Sequence, residues 1–161
     1  MEIKIYNFKT NPMVSYLRML ECQSIIDANL DINGGTLRQD DLLLQQHDWQ
    51  FLLTANIDNK PVGMSLIRKS HEDKHSTGHE EYYYISLIAV YPSVQKQGIG
   101  TELLNKTLSL SLSLPIVASC RKDNEISRNF LSSSMSNYND TRRYHRFLDN
   151  KTYYKKNNKK R

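Results

Sequence analysis

One segment of the sequence determines how the rest is interpreted: Ile88-Ala89-Val90-Tyr91-Pro92-Ser93-Val94-Gln95-Lys96-Gln97-Gly98-Ile99-Gly100-Thr101. It continues a run from Tyr82 to Val90 that predicts a strand, because aromatic and β-branched side chains fit a pleated, half-buried surface. Pro92 ends the strand pattern, and apolar spacing predicts a helix from about Ile99. The sequence therefore predicts a strand that leads through a glycine loop into a helix.

This order of elements suits the binding of phosphate. The first N–H groups of a helix have no intrahelical partner, and the helix dipole is positive at that end. Gly98 and Gly100 lack a Cβ, so the backbone approaches a ligand closely and tolerates the positive φ that a nest of N–H groups requires. The alternative is that the two glycines only form a tight turn.

Two familiar phosphate loops do not fit the segment. A dinucleotide-binding fingerprint requires a third glycine where Leu103 stands, and a Walker loop requires Gly-Lys-Ser/Thr where the sequence has Gly100-Thr101-Glu102. The loop therefore belongs to another class of phosphate site.

The N-terminal half of the chain predicts strands and helices around this segment. The spacing of Met13, Tyr16, Leu17 and Leu20 predicts the buried face of a helix that starts at Pro12. The remaining predictions for this half are a strand at 2–8, a break at 31–35, a short helix at 42–46, a hairpin of strands 49–57 and 62–67, and a polar loop at 69–81.

The C-terminal half predicts a second strand parallel to the Tyr82 strand. Pro115 to Ala118 reads as that strand, and a parallel pair requires a crossover helix, which we end near Ser111. The remaining predictions are a helix at 124–134 with Ile126, Phe130 and Leu131 on one side, and a closing hairpin of 143–149 with 152–156.

Length and composition predict one globular domain. The chain has 161 residues, of which 39% are hydrophobic and 24% are charged. No apolar run approaches the ~20 residues that span a bilayer, and the alternating N-terminus does not resemble a secretory signal. We therefore expect a cytoplasmic protein with a domain at residues 1–156 and a basic tail at 157–161.

Charge, cysteine and histidine patterns suggest no metal site. Nine basic residues and one acidic residue occur in 141–161, which suits either a solvated tail or a phosphate-rich partner such as nucleic acid. Two cysteines, Cys22 and Cys120, are too few for a disulfide framework or a four-ligand zinc site, and we expect reduced core residues. His71, His75 and His79 would align on a helix, but Gly78 and the charged neighbours predict a polar loop instead.

The segment Gln95-x-x-Gly98-x-Gly100, after a strand that ends Val90-x-Pro92, resembles the GNAT superfamily of acyl-CoA-dependent N-acyltransferases. The order of motifs continues through Leu103-Leu104 and Asp123-Asn124 and covers residues 82–131. The resemblance implies an α/β single-domain fold. Its central sheet would be mixed and mostly antiparallel, with one parallel splayed strand pair and helices on both faces.

The resemblance also implies the cofactor and the residues that bind it. Acetyl-CoA is the expected co-substrate, and no metal is expected. The main chain of Ile88, Ala89 and Val90 would pair with the pantetheine arm, and Asn124 would contact the cofactor from the next helix. The pyrophosphate would be bound by the amides of Gln95, Lys96, Gln97, Gly98, Ile99, Gly100 and Thr101.

The resemblance is less informative about catalytic residues. The Val90 N–H is the implied donor to the oxyanion of the tetrahedral intermediate. Relatives often carry a glutamate where this chain has Tyr84 or Ser86, and a tyrosine where it has Leu131. Tyr138 is the first aromatic hydroxyl after that helix, and Tyr84 is the second candidate. For both tyrosines, simple packing is the alternative role.

We therefore predict an N-acetyltransferase that moves an acetyl group from acetyl-CoA to a primary amine of a small molecule or protein. Because the expected glutamate and tyrosine are missing, a non-catalytic acyl-CoA-binding or regulatory module is the alternative. Binding of nucleic acid through the basic tail is a third and weaker hypothesis. No motif identifies the acceptor or the oligomeric state.

Overall fold

The computed structural model describes residues 1–33, 49–70, 81–110 and 114–158. The strands in these ranges are β1 (Glu2–Asn7), β2 (Trp49–Ile57), β3 (Lys60–Ser70), β4 (Tyr82–Val90), β5 (Ile116–Arg121), β6 (Met135–Asn137) and β7 (Tyr144–Asp149). The helices are α1 (Pro12–Glu21), α2 (Gln23–Asn33), α3 (Ile99–Leu108), α4 (Glu125–Ser132) and α5 (Asn150–Asn158), and a short 3-10 turn covers Pro92–Val94. Within the described ranges, every helix is too short or too polar to cross a membrane.

All strands belong to one seven-stranded sheet with the order β1-β2-β3-β4-β5-β7-β6. The β4 and β5 strands are parallel, with Tyr83 opposite Ile116 and Tyr84 opposite Val117. The antiparallel pairs are β1 with β2, β2 with β3, β5 with β7, and β6 with β7. The predicted mixed sheet with one parallel pair is confirmed.

The predicted hairpin between β2 and β3 is also confirmed. Ile57 pairs with Lys60, which leaves Asp58 and Asn59 as a two-residue loop with φ values of 51° and 63°. Two consecutive positive φ values favour Asp and Asn, and they match the twist of a hairpin. The β3 strand extends to Ser70, so Lys69 and Ser70 belong to the strand and not to the predicted loop, whose residues 71–80 lie outside the described residues.

The chain forms two compact units, and the first comprises residues 1–68 and 86–107. Its core contains Phe8, Met19, Cys22, Ile25, Ile26, Trp49, Leu52, Met64, Leu66 and Ala89. The ring of Phe8 meets that of Tyr16 edge to face, at 5.0 Å between centroids. This unit therefore has a continuous apolar core that includes residues of α1, α2 and strands β2 to β4.

The predicted buried stripe of α1 is wrong except for Tyr16, which is partly buried against the core. Met13, Leu17 and Leu20 are 76%, 55% and 42% exposed, whereas Ser15 and Met19 are fully buried. Ser15 tolerates burial because its hydroxyl donates to the Asn11 carbonyl at 2.7 Å.

The helical region also divides differently from the prediction. It contains two helices that meet at Cys22, and α2 continues to Asn33, into the predicted break at 31–35. The Cys22 N–H donates to the carbonyls of Arg18 and Met19, which closes α1 with a tightened last turn. The short helix predicted at 42–46 lies outside the described residues.

The second unit comprises residues 69–85 and 108–161. Tyr82, Val117 and Leu148 form its central apolar cluster. In α4, Leu131 is buried but Ile126 is 85% exposed, so the predicted apolar side of this helix is only partly right. The preceding helix, α3, ends at Leu108 rather than near Ser111.

The predicted closing hairpin is wrong, because its second half is helical. The β7 strand pairs with β5 and β6, and the chain then enters α5 directly. Asp149 starts this helix: Oδ2 accepts from the Thr152 N–H at 3.0 Å and from the Thr152 hydroxyl at 2.9 Å. Its Oδ1 accepts from the Ile116 N–H at 2.9 Å, which ties the start of β5 to the end of β7.

Both cysteines are free and buried, as predicted. Burial, followed by the charge of Glu21, raises the pKa of Cys22 to about 12. Burial also raises the pKa of Cys120, with opposing contributions from Arg128 and Asp140. Because the thiolate is the reactive form, these cysteines are core residues rather than nucleophiles.

Candidate cofactor-binding and catalytic residues

The glycine loop has the predicted order of elements. The β4 strand ends at Val90, the 3-10 turn covers Pro92–Val94, and α3 begins at Ile99. The Val94 N–H donates to the Tyr91 carbonyl at 3.0 Å, and the Glu102 N–H donates to the Gly98 carbonyl at 3.0 Å. The loop between these bonds leads directly into the N-terminus of a ten-residue helix.

Two residues of the loop have left-handed backbone conformations. Gly98 has φ 82°, as its lack of a Cβ permits, and Lys96 has φ 65°. A Cβ on Gly98 would meet nothing within 4 Å, so the backbone angle alone requires glycine there. The conformation of Lys96 was not predicted, since no property of a lysine side chain signals it.

This segment has an exposed stretch with buried residues on either side. Residues 95–98 are exposed, Ile99 is buried and Gly100 is half-buried. In β4, Ile88 is half-buried, while Ala89 and Val90 are buried. The exposed residues 95–98 therefore lie between the buried end of β4 and the buried side chain of Ile99.

Gly63 on β3 allows the end of β4 and the start of α3 to pack closely. A Cβ at Gly63 would lie 3.0 Å from Leu103 Cδ1, 3.2 Å from Val90 Cγ2 and 3.3 Å from Ile99 Cγ2. A side chain at this position would require Leu103, Val90 and Ile99 to shift by a few tenths of an ångström. Gly63 was not predicted as a site residue, because the residues that crowd it are distant in the sequence and leave no local pattern.

The carbonyl of Val90 accepts two amide hydrogen bonds. Asn29 Nδ2 donates to it at 3.1 Å, and Gln95 Nε2 donates to it at 3.0 Å. Gln95 Nε2 also donates to Asn29 Oδ1 at 3.2 Å. The side chain of Gln95 therefore faces the protein, and Asn29 is a residue that sequence reasoning missed.

Tyr84 and Tyr138 both belong to the second unit. Their rings, with that of Tyr153, pack against the cluster of Tyr82, Val117 and Leu148. The Tyr84 hydroxyl hydrogen-bonds to Ser119 Oγ at 2.5 Å, and the Tyr138 N–H donates to the Arg146 carbonyl at 3.0 Å. The structure thus brings the two predicted catalytic tyrosines to one cluster.

Ser86, which shares strand parity with Tyr84, has a buried hydroxyl. Within the part of the chain that the structure describes, this oxygen has no hydrogen-bond partner. Buried hydroxyls almost always have one, supplied by protein or by water. The Ser86 hydroxyl is therefore suited to hold a water molecule or a ligand atom.

Asn124 caps the N-terminus of α4. Its Oδ1 accepts from the Ser127 N–H at 3.1 Å, which fixes the orientation of the side-chain amide. Contact with a cofactor remains a prediction for this residue. His71, His75 and His79 lie outside the described residues, and among those described no three His, Cys, Asp or Glu side chains could hold a metal ion.

A model of the acetyltransferase (GNAT) family matches residues 20–135 of this chain. The match includes α2, strands β2 to β5, the glycine loop and α4. A comparison with curated protein sequences gives no match.

Solved structures with the same fold cover nearly the whole chain. The PaiA N-acetyltransferase of Thermoplasma acidophilum, solved with coenzyme A, is 12% identical with a TM-score of 0.64, over 92% of this chain and 99% of that chain. NAA60 of Arabidopsis thaliana, solved with acetyl-CoA, is 12% identical with a TM-score of 0.64, over 91% and 97%. An aminoglycoside acetyltransferase from an uncultured soil metagenomic sample, solved with sisomicin, is 18% identical with a TM-score of 0.58, over 87% and 95%. Identities this low show a shared fold.

Proposed function

Because the chain belongs to the acetyltransferase (GNAT) family, we propose that it transfers an acetyl group from acetyl-CoA to a primary amine by direct attack. One observation carries the proposal: β4 leads through a loop with two left-handed residues into the N-terminus of α3. This arrangement presents backbone N–H groups and a positive helix end to an anion.

The diphosphate of acetyl-CoA would bind at residues 95–101. Residues 95–98 of this loop are exposed and Gly98 and Gly100 have no side chain, which leaves the backbone there open to a phosphate group. Lys96 adds a positive charge beside the loop, and the dipole of α3 adds partial positive charge at Ile99. Two structures with the same fold contain coenzyme A or acetyl-CoA, which supports this choice of cofactor.

The pantetheine arm would pair with the main chain of Ile88, Ala89 and Val90. The parallel pairing with β5 is at Tyr83 and Tyr84, several residues before this end of the strand. An extended arm beside Ile88 to Val90 would use the backbone groups there as a neighbouring strand does. This direction also leads the arm toward the glycine loop.

The transfer requires a neutral amine nitrogen to attack the thioester carbonyl. A C–N bond forms, the C–S bond breaks, and the CoA sulfur leaves as a thiolate that gains a proton. The amine proton must pass to a base or to water, because an alkylamine with a pKa near ~10.4 is mostly protonated at neutral pH. A water molecule on the Ser86 hydroxyl would provide the first step of that path.

The Val90 N–H would donate a hydrogen bond to the oxyanion of the tetrahedral intermediate. Tyr138 would donate the proton to the leaving thiolate, since a phenol with a pKa near ~10 stays protonated at neutral pH. Tyr84 is the second candidate, and its hydrogen bond to Ser119 gives its hydroxyl a fixed orientation. Asn124 would contact the cofactor.

We propose the acceptor only as a primary amine. One structure with the same fold holds sisomicin and is named as an aminoglycoside acetyltransferase. That likeness places aminoglycosides in a test panel with polyamines, free amino acids and peptides. The competing hypothesis is a non-catalytic acyl-CoA-binding module, favoured by the absence of the usual glutamate and tyrosine.

The experiment is an acetylation assay with acetyl-CoA and that amine panel. The proposal predicts an acceptor that gains the mass of one acetyl group, with release of one CoA thiol per product. Binding of acetyl-CoA without transfer to any amine would favour the non-catalytic module. A reaction mixture without protein measures the spontaneous acetylation that must be subtracted.

A further inference from the structure

We infer that Asn29 on α2 is a positioning residue for the CoA site, because its amide holds the end of β4 and the glycine loop in one arrangement. The inference rests on the proposed function, in that the loop is taken to bind CoA. Asn29 lies outside the motif segment by more than fifty residues and is not itself a candidate to touch the cofactor.

The amide of Asn29 makes three hydrogen bonds inside the protein. Nδ2 donates to the Ile25 carbonyl at 2.8 Å and to the Val90 carbonyl at 3.1 Å. Oδ1 accepts from Gln95 Nε2 at 3.2 Å. Since both partners of Nδ2 are carbonyl oxygens, only one orientation of this buried amide satisfies the network.

Gln95 completes a closed arrangement of amides. Its Nε2 donates both to Asn29 Oδ1 and to the Val90 carbonyl, the latter at 3.0 Å. Asn29 and Gln95 therefore share the Val90 oxygen as an acceptor and also bond to each other. The first residue of the loop is thus fixed by its side chain, and its backbone is oriented as a result.

The peptide group between Val90 and Tyr91 is hydrogen-bonded through both its carbonyl and its N–H. Its carbonyl accepts from Asn29 and Gln95, and its N–H, which belongs to Tyr91, donates to the Val62 carbonyl at 2.9 Å. The Tyr91 hydroxyl is also hydrogen-bonded to the Ser24 hydroxyl on α2. Two side chains of α2 therefore brace the turn between β4 and α3.

A preorganised loop binds its ligand more tightly, because the ordering cost is met on folding and not on binding. Loss of the Asn29 amide removes two hydrogen bonds to the turn and leaves Gln95 with one fixed partner. We expect the Kd for CoA to rise about tenfold. The KM for acetyl-CoA should rise in parallel, while kcat at saturating acetyl-CoA stays within about twofold.

The test compares CoA binding by calorimetry for the parent protein, Asn29→Leu and Asn56→Leu. Asn56 is a matched control: it is also a buried asparagine of the first unit, and its amide donates to the Thr54 hydroxyl and carbonyl. Both substitutions remove a buried amide and lower stability, but only the first removes contacts to the turn. We expect weaker CoA binding in Asn29→Leu and parental binding in Asn56→Leu.

Gln95→Met provides a second variant: residue 95 is exposed overall although its amide bonds inward, and it lies outside the apolar core, so its substitution leaves the core intact. It should weaken CoA binding several-fold, and Asn29→Leu with Gln95→Met should be little worse than the poorer single variant. If Asn29→Leu does not fold, parental affinity in Gln95→Met overturns the inference.

The remaining outcomes separate the inference from the proposed function. Parental CoA affinity in a folded Asn29→Leu variant would overturn the inference and leave CoA binding by the loop intact. Equal losses in Asn29→Leu and Asn56→Leu would also overturn it, because stability alone would then explain both. Absence of CoA binding by the parent protein would overturn the proposed function and, with it, the inference.

Discussion

Two glycines of the first unit are required for different physical reasons. Gly98 has open space around its missing side chain but a backbone angle that disfavours other residues, whereas Gly63 has no such angle but tightly packed neighbours. A motif search finds Gly98 because its neighbours form a pattern. Gly63 becomes visible only when β3, β4 and α3 are assembled.

Gly63→Ala should therefore destabilise the protein by about 1–3 kcal/mol, the usual cost of overpacking a core. The added Cβ would lie 3.0 Å from Leu103 Cδ1, so shortening that side chain should relieve part of the strain. Urea denaturation of Gly63→Ala, Leu103→Val and the double variant measures this. A double variant that loses the full sum of the single losses would show that this contact is not responsible.

Tyr138→Phe should lower turnover by at least about tenfold while CoA affinity stays close to that of the parent, because general acid catalysis commonly contributes ~10²–10⁴-fold. The substitution removes only the hydroxyl and retains the ring that packs in the second unit. Tyr153→Phe is the matched control, as its ring packs against the same cluster. Unchanged turnover in Tyr138→Phe would return this residue to a packing role and make Tyr84 or water the proton donor.

Helix faces and helix ends were the least predictable elements. In α1, two apolar rows compete, and the row with Met13, Leu17 and Leu20 looks better in the sequence, yet Ser15 and Met19 are the buried pair. Residue spacing alone does not encode which side of the helix packs against the core. The sequence pattern of residues 150–158 is likewise weak. The side-chain cap from Asp149 to the Thr152 N–H favours a helix there.

The connection between β6 and β7 depends on the charge of Asp140. Burial raises the pKa of this carboxyl, but the hydrogen bonds from Asn137, His145 and the Arg146 N–H, with the charge of His145, outweigh burial and lower it. Those donors lie at 2.7, 3.0 and 3.3 Å respectively. A lowered pKa means that the folded protein favours the carboxylate.

Asp140→Asn should therefore lower the Tm at neutral pH by roughly 1–4 °C. The stabilisation exists above the unfolded-state pKa of ~3.9 and is lost as the pH falls through the lower folded-state pKa. Thermal melts of the parent and the variant at pH ~7 and at pH ~2.5 measure the difference. The same Tm difference at both pH values would show that the effect comes from the shape of the side chain at position 140 rather than from its charge.

For the whole molecule, the order of elements from β2 to α4 was predictable from the sequence and the mixed sheet from the family resemblance, whereas β6 and α5 were not predicted. Strong strands such as β2 and β4 were predicted to the residue, because their apolar content leaves no competing interpretation. The bracing of the glycine loop by Asn29 was not predictable. It depends on two segments that meet only in the folded chain, and a polar residue within a helix gives no local signal.

The central claim is that the glycine loop binds the diphosphate of CoA, and calorimetric titration of CoA into Gly100→Glu tests it most directly. Asn105→Glu is the matched control, since it adds the same charge to an exposed position farther along α3. The account predicts that the parent and Asn105→Glu bind CoA with similar affinity. Folded Gly100→Glu should bind at least about tenfold more weakly, because a carboxylate would lie where phosphate binds. Parental affinity in folded Gly100→Glu would contradict the account.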